Sequence, residues 1–203
     1  MIARIFTVGL IAGAFVTLLG RGTWQMQRLA WKEGLIAQAQ ERPQMAAVPL
    51  DDVVEEFGLS PQSSYPEDAQ TATTDALAYR RVTLEGSFFE DPVRVFTTLS
   101  DPRGPLEGPG YRLKQGFQTR RNVLFVNRGF IPFELPADVA VRQAPVGTVR
   151  FEGLVRPDDQ AGFFTPDPDF DERLIYRRSV SQLQQATGVS VALPITVDMP
   201  ASA

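Results

Sequence analysis

Apolar and polar positions divide the chain into two regimes. From Ile5 to Gly20 almost every position is apolar or small. That run passes without a proline into Arg21-Gly22-Thr23-Trp24-Gln25-Met26-Gln27-Arg28-Leu29-Ala30-Trp31-Lys32, and the first proline is Pro43. A helix rises about 1.5 Å per residue, so a hydrocarbon core of ~30 Å takes roughly 20 residues. The pattern therefore predicts a transmembrane anchor over 1–24 that continues into a juxtamembrane amphipathic helix over 25–42. Arg21, Gln25, Arg28 and Lys32 recur at helical spacing as one stripe. Trp24, Trp31 and Leu35 flank it on one side, Leu29 and Ile36 on the other. Gly9-x-x-x-Gly13 would let a second helix approach closely.

The stripe admits two readings. In the first, its cations meet lipid phosphates while the rings lie among the headgroups. In the second, it docks an anionic, partly apolar partner, of which a haem with its propionates is one. A cleaved signal peptide would need a small-x-small site after Leu19, where Arg21 and Trp24 stand instead. Orientation is ambivalent, because Arg21, Arg28 and Lys32 outnumber Arg4 and would alone hold the following domain in the cytoplasm.

Residues 43–78 read as an acidic, proline-rich linker. They contain Pro43, Pro49, Pro61 and Pro66, and no Lys or Arg falls between Arg42 and Arg80. A short helix at Leu50–Phe57 would place Leu50, Val53, Val54 and Phe57 on one face, with Asp51 and Asp52 at its N-terminus. From Tyr79 the period changes to that of strands. Tyr79–Phe89 alternates, with Val82, Leu84, Gly86 and Phe88 on one face. Glu90-Asp91-Pro92 predicts a turn before a second strand, Val93–Leu99. Tyr111–Thr119 and Asn122–Ile131 predict a hairpin around Arg120-Arg121, and the apolar run Val123–Val126 a central strand. Val146–Arg156 and Leu174–Arg178 predict further strands. Ser179 is a fair N-cap for a helix through Ala186, stopped at Thr187-Gly188. Val189–Val197 reads as extended and broken at Pro194, and Asp198–Ala203 as a polar, frayed tail, 199–203 being its end. The expected fold is thus a mainly antiparallel β (α+β) soluble domain over 79–198, a small curved sheet or barrel, behind an N-terminal helix.

Composition removes whole classes of chemistry. The 203 residues include no His and no Cys. That excludes Ser-His and Cys-His pairs and the usual Zn, Cu and Fe sites. A formal net charge of -4 argues against a nucleic-acid partner. No GxGxxG, P-loop or GxSxG sequence occurs. The acidic stretch Phe163–Arg173 lacks the spacing and central glycine of an EF-hand and reads as a solvated turn. Lysine appears only as Lys32 and Lys114. Arg80, Arg81, Arg120, Arg121, Arg128, Arg177 and Arg178 are expected mainly on solvent faces, and no spacing selects a carboxylate pair. The chain is not expected to be an enzyme.

Gly22-Thr-Trp-Gln-Met-Gln-Arg-Leu-Ala-Trp-Lys32 behind an anchor, Tyr79-Arg-Arg-Val-Thr-Leu-Glu-Gly-Ser-Phe88, Gly110-Tyr111 with Val126-Asn-Arg-Gly-Phe-Ile-Pro132, and Gly153-Leu-Val-Arg156 occur in this order. Together with Pro166 and Pro168 they resemble the Surfeit-locus family of cytochrome c oxidase assembly factors, which usually has Trp at the place of Phe130. The resemblance implies a factor that assists haem a insertion into subunit I and works with other oxidase assembly factors and membrane lipids. It implies a β domain outside the cytoplasm, and the start of the anchor near Met1 favours a bacterial inner membrane over an organelle. It points to Tyr111, Asn127, Arg128, Gly129 and Phe130 as partner-binding residues. Trp24, Arg28, Trp31 and Lys32 are the corresponding candidates for haem or lipid contact. The family normally has a second membrane helix near its C-terminus, which Ala203 only approaches, so truncated and short natural forms both stay open. Haem binding in some members is attributed to a His in that segment, and this chain has none. The alternative reading is a membrane-tethered scaffold module for another inner-membrane complex.

Overall fold

One long strand, β2 (Arg81–Leu99), organises the domain because it pairs along both of its edges. The structure is a computed structural model that describes residues 2–62, 71–99, 107–134, 144–160 and 162–200. Side chains of 2–5, 8, 12, 71, 72 and 90 lie outside the description, as do residue 161 and the tail 201–203.

α1 (Ile2–Glu41) is one unbroken helix and forms a unit separate from Arg42–Ala203. The expected continuity from the apolar run into the basic–aromatic stretch is therefore present. Among the described residues no helix is long and apolar enough to cross a membrane. From Gly13 onward α1 is diluted by Thr17, Gly20, Arg21, Gly22 and Thr23, and several apolar side chains before it lie outside the description. The anchor over 1–24 thus gains no support from the structure.

In the second unit, β1 (Val48–Pro49), β3 (Gly108–Thr119), β4 (Val123–Pro132), β5 (Val149–Arg156), β6 (Leu174–Ile175) and β7 (Thr196–Asp198) join β2 in one sheet. β2 pairs antiparallel with β3 over Gly86–Leu99 and with β5 over Arg81–Gly86. The order β2-β3-β4-β7-β5 therefore returns to β2 and closes a small barrel, which leaves few free edges. Val82, Leu84, Phe117, Leu124, Val126, Phe151, Val155 and Val197, drawn from all five strands of the ring, form one core. Val93, Val95 and Phe125 point to the opposite face. There Ile175 and α4 (Val180–Thr187) cover them with Val180, Leu183 and Ala186.

Several expectations are corrected by tertiary contacts. Glu90-Asp91-Pro92 is not a turn between two strands. It is an irregularity within β2, where Phe89 faces Gly116 and Val93 faces Lys114, so Pro92 sits where no ladder donor is needed. Nor is 43–78 a free linker. β1 pairs parallel with β2, and the short helix expected at Leu50–Phe57 forms as α2 (Leu50–Glu56), with Leu50 and Val53 of its apolar face buried in the barrel core. α3 (Thr71–Ala76) leads into buried Leu77, while residues 63–70 lie outside the description. The strand expected over Leu174–Arg178 is only two residues long. α4 forms as its caps foretold: Ser179 Oγ accepts from the Gln182 N–H, and Gly188 closes the helix at φ 77°.

Candidate functional site

The barrel register carries one row of residues across three strands, Lys114 on β3, Asn127 on β4 and Asp198 on β7. All three lie on the face that α4 covers, next to the apolar cluster around Phe125. A lysine in such a place loses its hydration and needs a partner. Lys114 is 1 % exposed, and its Nζ donates to Asp198 Oδ1 at 3.1 Å and to Thr196 Oγ1 at 3.2 Å. Asn127 Nδ2 donates to the same carboxylate oxygen at 3.0 Å, while its Oδ1 accepts the Gly129 N–H.

Two further cations reach the other carboxylate oxygen. Arg156 Nε stands 3.5 Å and an Arg112 Nη 3.9 Å from Asp198 Oδ2. Neither contact is a hydrogen bond, and Arg156 Nε is buried without one. The Arg156 guanidinium lies 4.7 Å from the centre of the Tyr79 ring. Tyr79 itself takes the left-handed conformation at φ 66°, which a non-glycine residue adopts only at a cost. Its N–H donates to the Val155 carbonyl at 2.8 Å, holding that geometry.

One carboxylate thus serves three cations, and the titration behaviour follows. Burial pushes the Lys114 ammonium down to about 8, and attraction to Asp198 offsets only part of that. Burial also opposes ionisation of Asp198, but Lys114 and Arg156 outweigh it and hold the carboxyl below its ordinary value. The difference is one of number: Asp198 has several opposite charges, whereas Lys114 has one and also faces Arg178 and Arg112. Arg178 is drawn aside by Asp159, and Asp158 Oδ2 accepts the Val180 N–H, tying the loop after β5 to the start of α4.

The expected site residues are dispersed. Trp24, Arg28, Trp31 and Lys32 are exposed on α1, with the Arg28 guanidinium 5.3 Å from the Trp24 ring centre. Among the partner-binding candidates, Asn127 is buried in the ionic network, and Gly129 forms an exposed bulge at φ 142° opposite Leu113. Arg128 donates to Gln115 Oε1 at 2.7 Å and covers the Phe88 ring, and Phe130 lies against Gly110, where a Cβ would stand 2.6 Å from its ring. Tyr111 joins a different, partly exposed aromatic group with Phe96, Phe133 and Tyr176, with Arg94 over its ring.

Sequence reasoning missed Lys114, Asp198, Arg112 and Arg156. Asp198 was expected in a frayed tail, because a three-residue strand carries almost no periodic signal. One signal was available: Lys114 is the lone lysine of the β domain and stands inside a strand, next to Leu113. Three of the motifs quoted above meet here, through Tyr79, Asn127 and Arg156.

Comparison with known proteins agrees with those motifs. The SURF1 family description matches residues 12–203. A SURF1-like protein of Caenorhabditis briggsae is 26% identical over 96% of this chain and 60% of its own length. Surfeit locus protein 1 of Rattus norvegicus is 28% identical over 90% of this chain and 57% of its own, and that of Homo sapiens 27% over 90% and 59%. The chain thus spans 57–60% of the length of these relatives. With the family description covering nearly its whole length, the chain belongs to the SURF1 family.

Proposed function

We propose that this chain is a membrane-associated assembly factor for haem–copper cytochrome c oxidase, assisting haem a insertion into subunit I or that subunit's maturation. The observation that carries the reading is the family match over residues 12–203, joined to the oxidase role that the family resemblance implies. The factor acts by binding and not by covalent chemistry. The β domain meets the partner protein outside the cytoplasm, and α1 lies at a bacterial inner membrane with its N-terminus cytoplasmic. In this reading Arg28 and Lys32 meet anionic groups at the membrane edge while Trp24 and Trp31 lie among lipid headgroups or against the partner.

The residues present do not fit an axially ligated haem. The chain has neither His nor Cys, and Met26, 74% exposed on α1, offers only a weak thioether. Contact with haem is therefore limited to pairing of its propionates with cations, and no ligation step is assigned to this chain. Deleting the gene tests the function. The oxidase subunits should still be made while the haem a content of the purified oxidase falls. Normal haem and activity in the deletion strain would sink the proposal, and co-purification with a different membrane complex instead of subunit I would favour a scaffold role.

A further inference from the structure

The Asp198 cluster holds more positive charge than it neutralises. Among the described residues, Arg112, Lys114 and Arg156 all approach one carboxylate, which leaves two positive charges over at neutral pH. Arg178 does not add to the excess, since it is paired with Asp159. The excess is not spread over open water: Arg112 and Arg156 side chains are 28% and 24% exposed, and Asp198 20%. Uncompensated charge so placed is costly unless something of opposite sign joins it.

We propose that the face between Arg112 and Arg156 binds a phosphate group. Their contacting nitrogens lie within 4 Å of the same Asp198 oxygen, so the two guanidinium groups stand close enough for one small oxyanion to reach both, through nitrogens other than the buried Nε of Arg156. Guanidinium groups suit this role because their planar donors match phosphate oxygens and never titrate away near neutrality. The surplus of two charges matches a phosphate monoester, which carries about -1.5 to -2 at pH 7. A carboxylate would leave one cation uncompensated. Asp198 holds the arginines side by side, and Lys114 and Asn127 hold Asp198. The Tyr79 ring, held at positive φ, packs against the Arg156 guanidinium. Nothing in the oxidase reading requires this site, so the two stand or fall separately.

The test uses the full chain in detergent, titrated with inorganic phosphate by calorimetry at constant ionic strength. A second arm measures its flotation with vesicles containing phosphatidic acid, whose headgroup is a phosphate monoester, against vesicles of phosphatidylcholine. Saturable phosphate binding is expected, weakened about tenfold or more in Arg112→Gln and Arg156→Gln, the loss usual for a charge-assisted pair. Arg121→Gln, exposed at the hairpin tip, should bind as the wild type does. Circular dichroism checks folding, and Arg112→Gln, the more exposed of the two, keeps the test usable if Arg156→Gln unfolds. Flotation that needs phosphatidic acid and is lost in Arg112→Gln, without binding of free phosphate, would identify a lipid headgroup as the source of the phosphate. No response beyond that of chloride in either arm, or equal responses in wild type and Arg112→Gln, would overturn the proposal.

Discussion

Lys114 and Asp198 are unequal partners, and the inequality can be measured. Replacing Asp198 with Asn strands a lysine that is 1% exposed, beside two arginines. Breaking a buried pair in this way typically costs about 3–5 kcal/mol. Lys114→Met should cost clearly less, because Asp198 keeps Arg156, Arg112 and Asn127, and the burial cost of the ammonium disappears. Urea unfolding of both variants decides, and the reverse order would refute this account of the network. The pH dependence has a definite sign. Lys114 titrates near 8 in the folded chain against 10.5 ordinarily. Between those values the unfolded chain binds the extra proton, so stability rises with pH across the window. Measured as wild type minus Lys114→Met, the gain should approach about 3 kcal/mol at its limit, and a flat difference would contradict it.

At the scale of elements, the site depends on how closely β5 and β7 approach. Gly153 faces Val82 on one side and is boxed in by β7 on the other. A Cβ there would stand 2.4 Å from Val197 Cγ1 and 2.8 Å from the Asp198 carbonyl oxygen. Gly153→Ala must therefore push β7 outward and carry Asp198 away from Lys114. A loss of about 1–3 kcal/mol is expected, as for other overpacked cores. Gly34→Ala in α1 meets open space and should raise helix stability by up to about 1 kcal/mol. Thermal unfolding and helix content compare the two, and a harmless Gly153→Ala would show that β7 is freer than its contacts imply. The glycine was visible in the sequence as an interruption of a strand. Its purpose was not, because the neighbour it admits comes from more than forty residues later.

For the whole molecule, α1 and the barrel are two compact units. Replacing Arg28 and Lys32 with Ala should weaken retention on anionic membranes or on the partner. The same change at Arg120 and Arg121, exposed on the barrel hairpin, should do less. Because α1 is a compact unit of its own, the thermal midpoint of the β domain should stay unchanged. Equal effects of the two pairs in a co-sedimentation assay would reduce the stripe to a nonspecific charge contact.

What the sequence determined by itself was local. The unbroken helix, the alternation around Val82 and Leu84, the Arg120-Arg121 hairpin, the caps of α4 and the family motifs all rest on neighbours within a turn or a strand. Tertiary structure decided the rest. A ring closes only when β2 finds β5, some seventy residues away, and no period in either strand names the other. β1 is too short to announce itself, so part of a supposed linker became part of the sheet, and β7 forms at the end of the expected extended segment and takes in Asp198. The charged cluster exists only through that closure. Register alone brings Lys114, Asn127 and Asp198 into one row and Arg156 beside them, and burial then makes their charges matter.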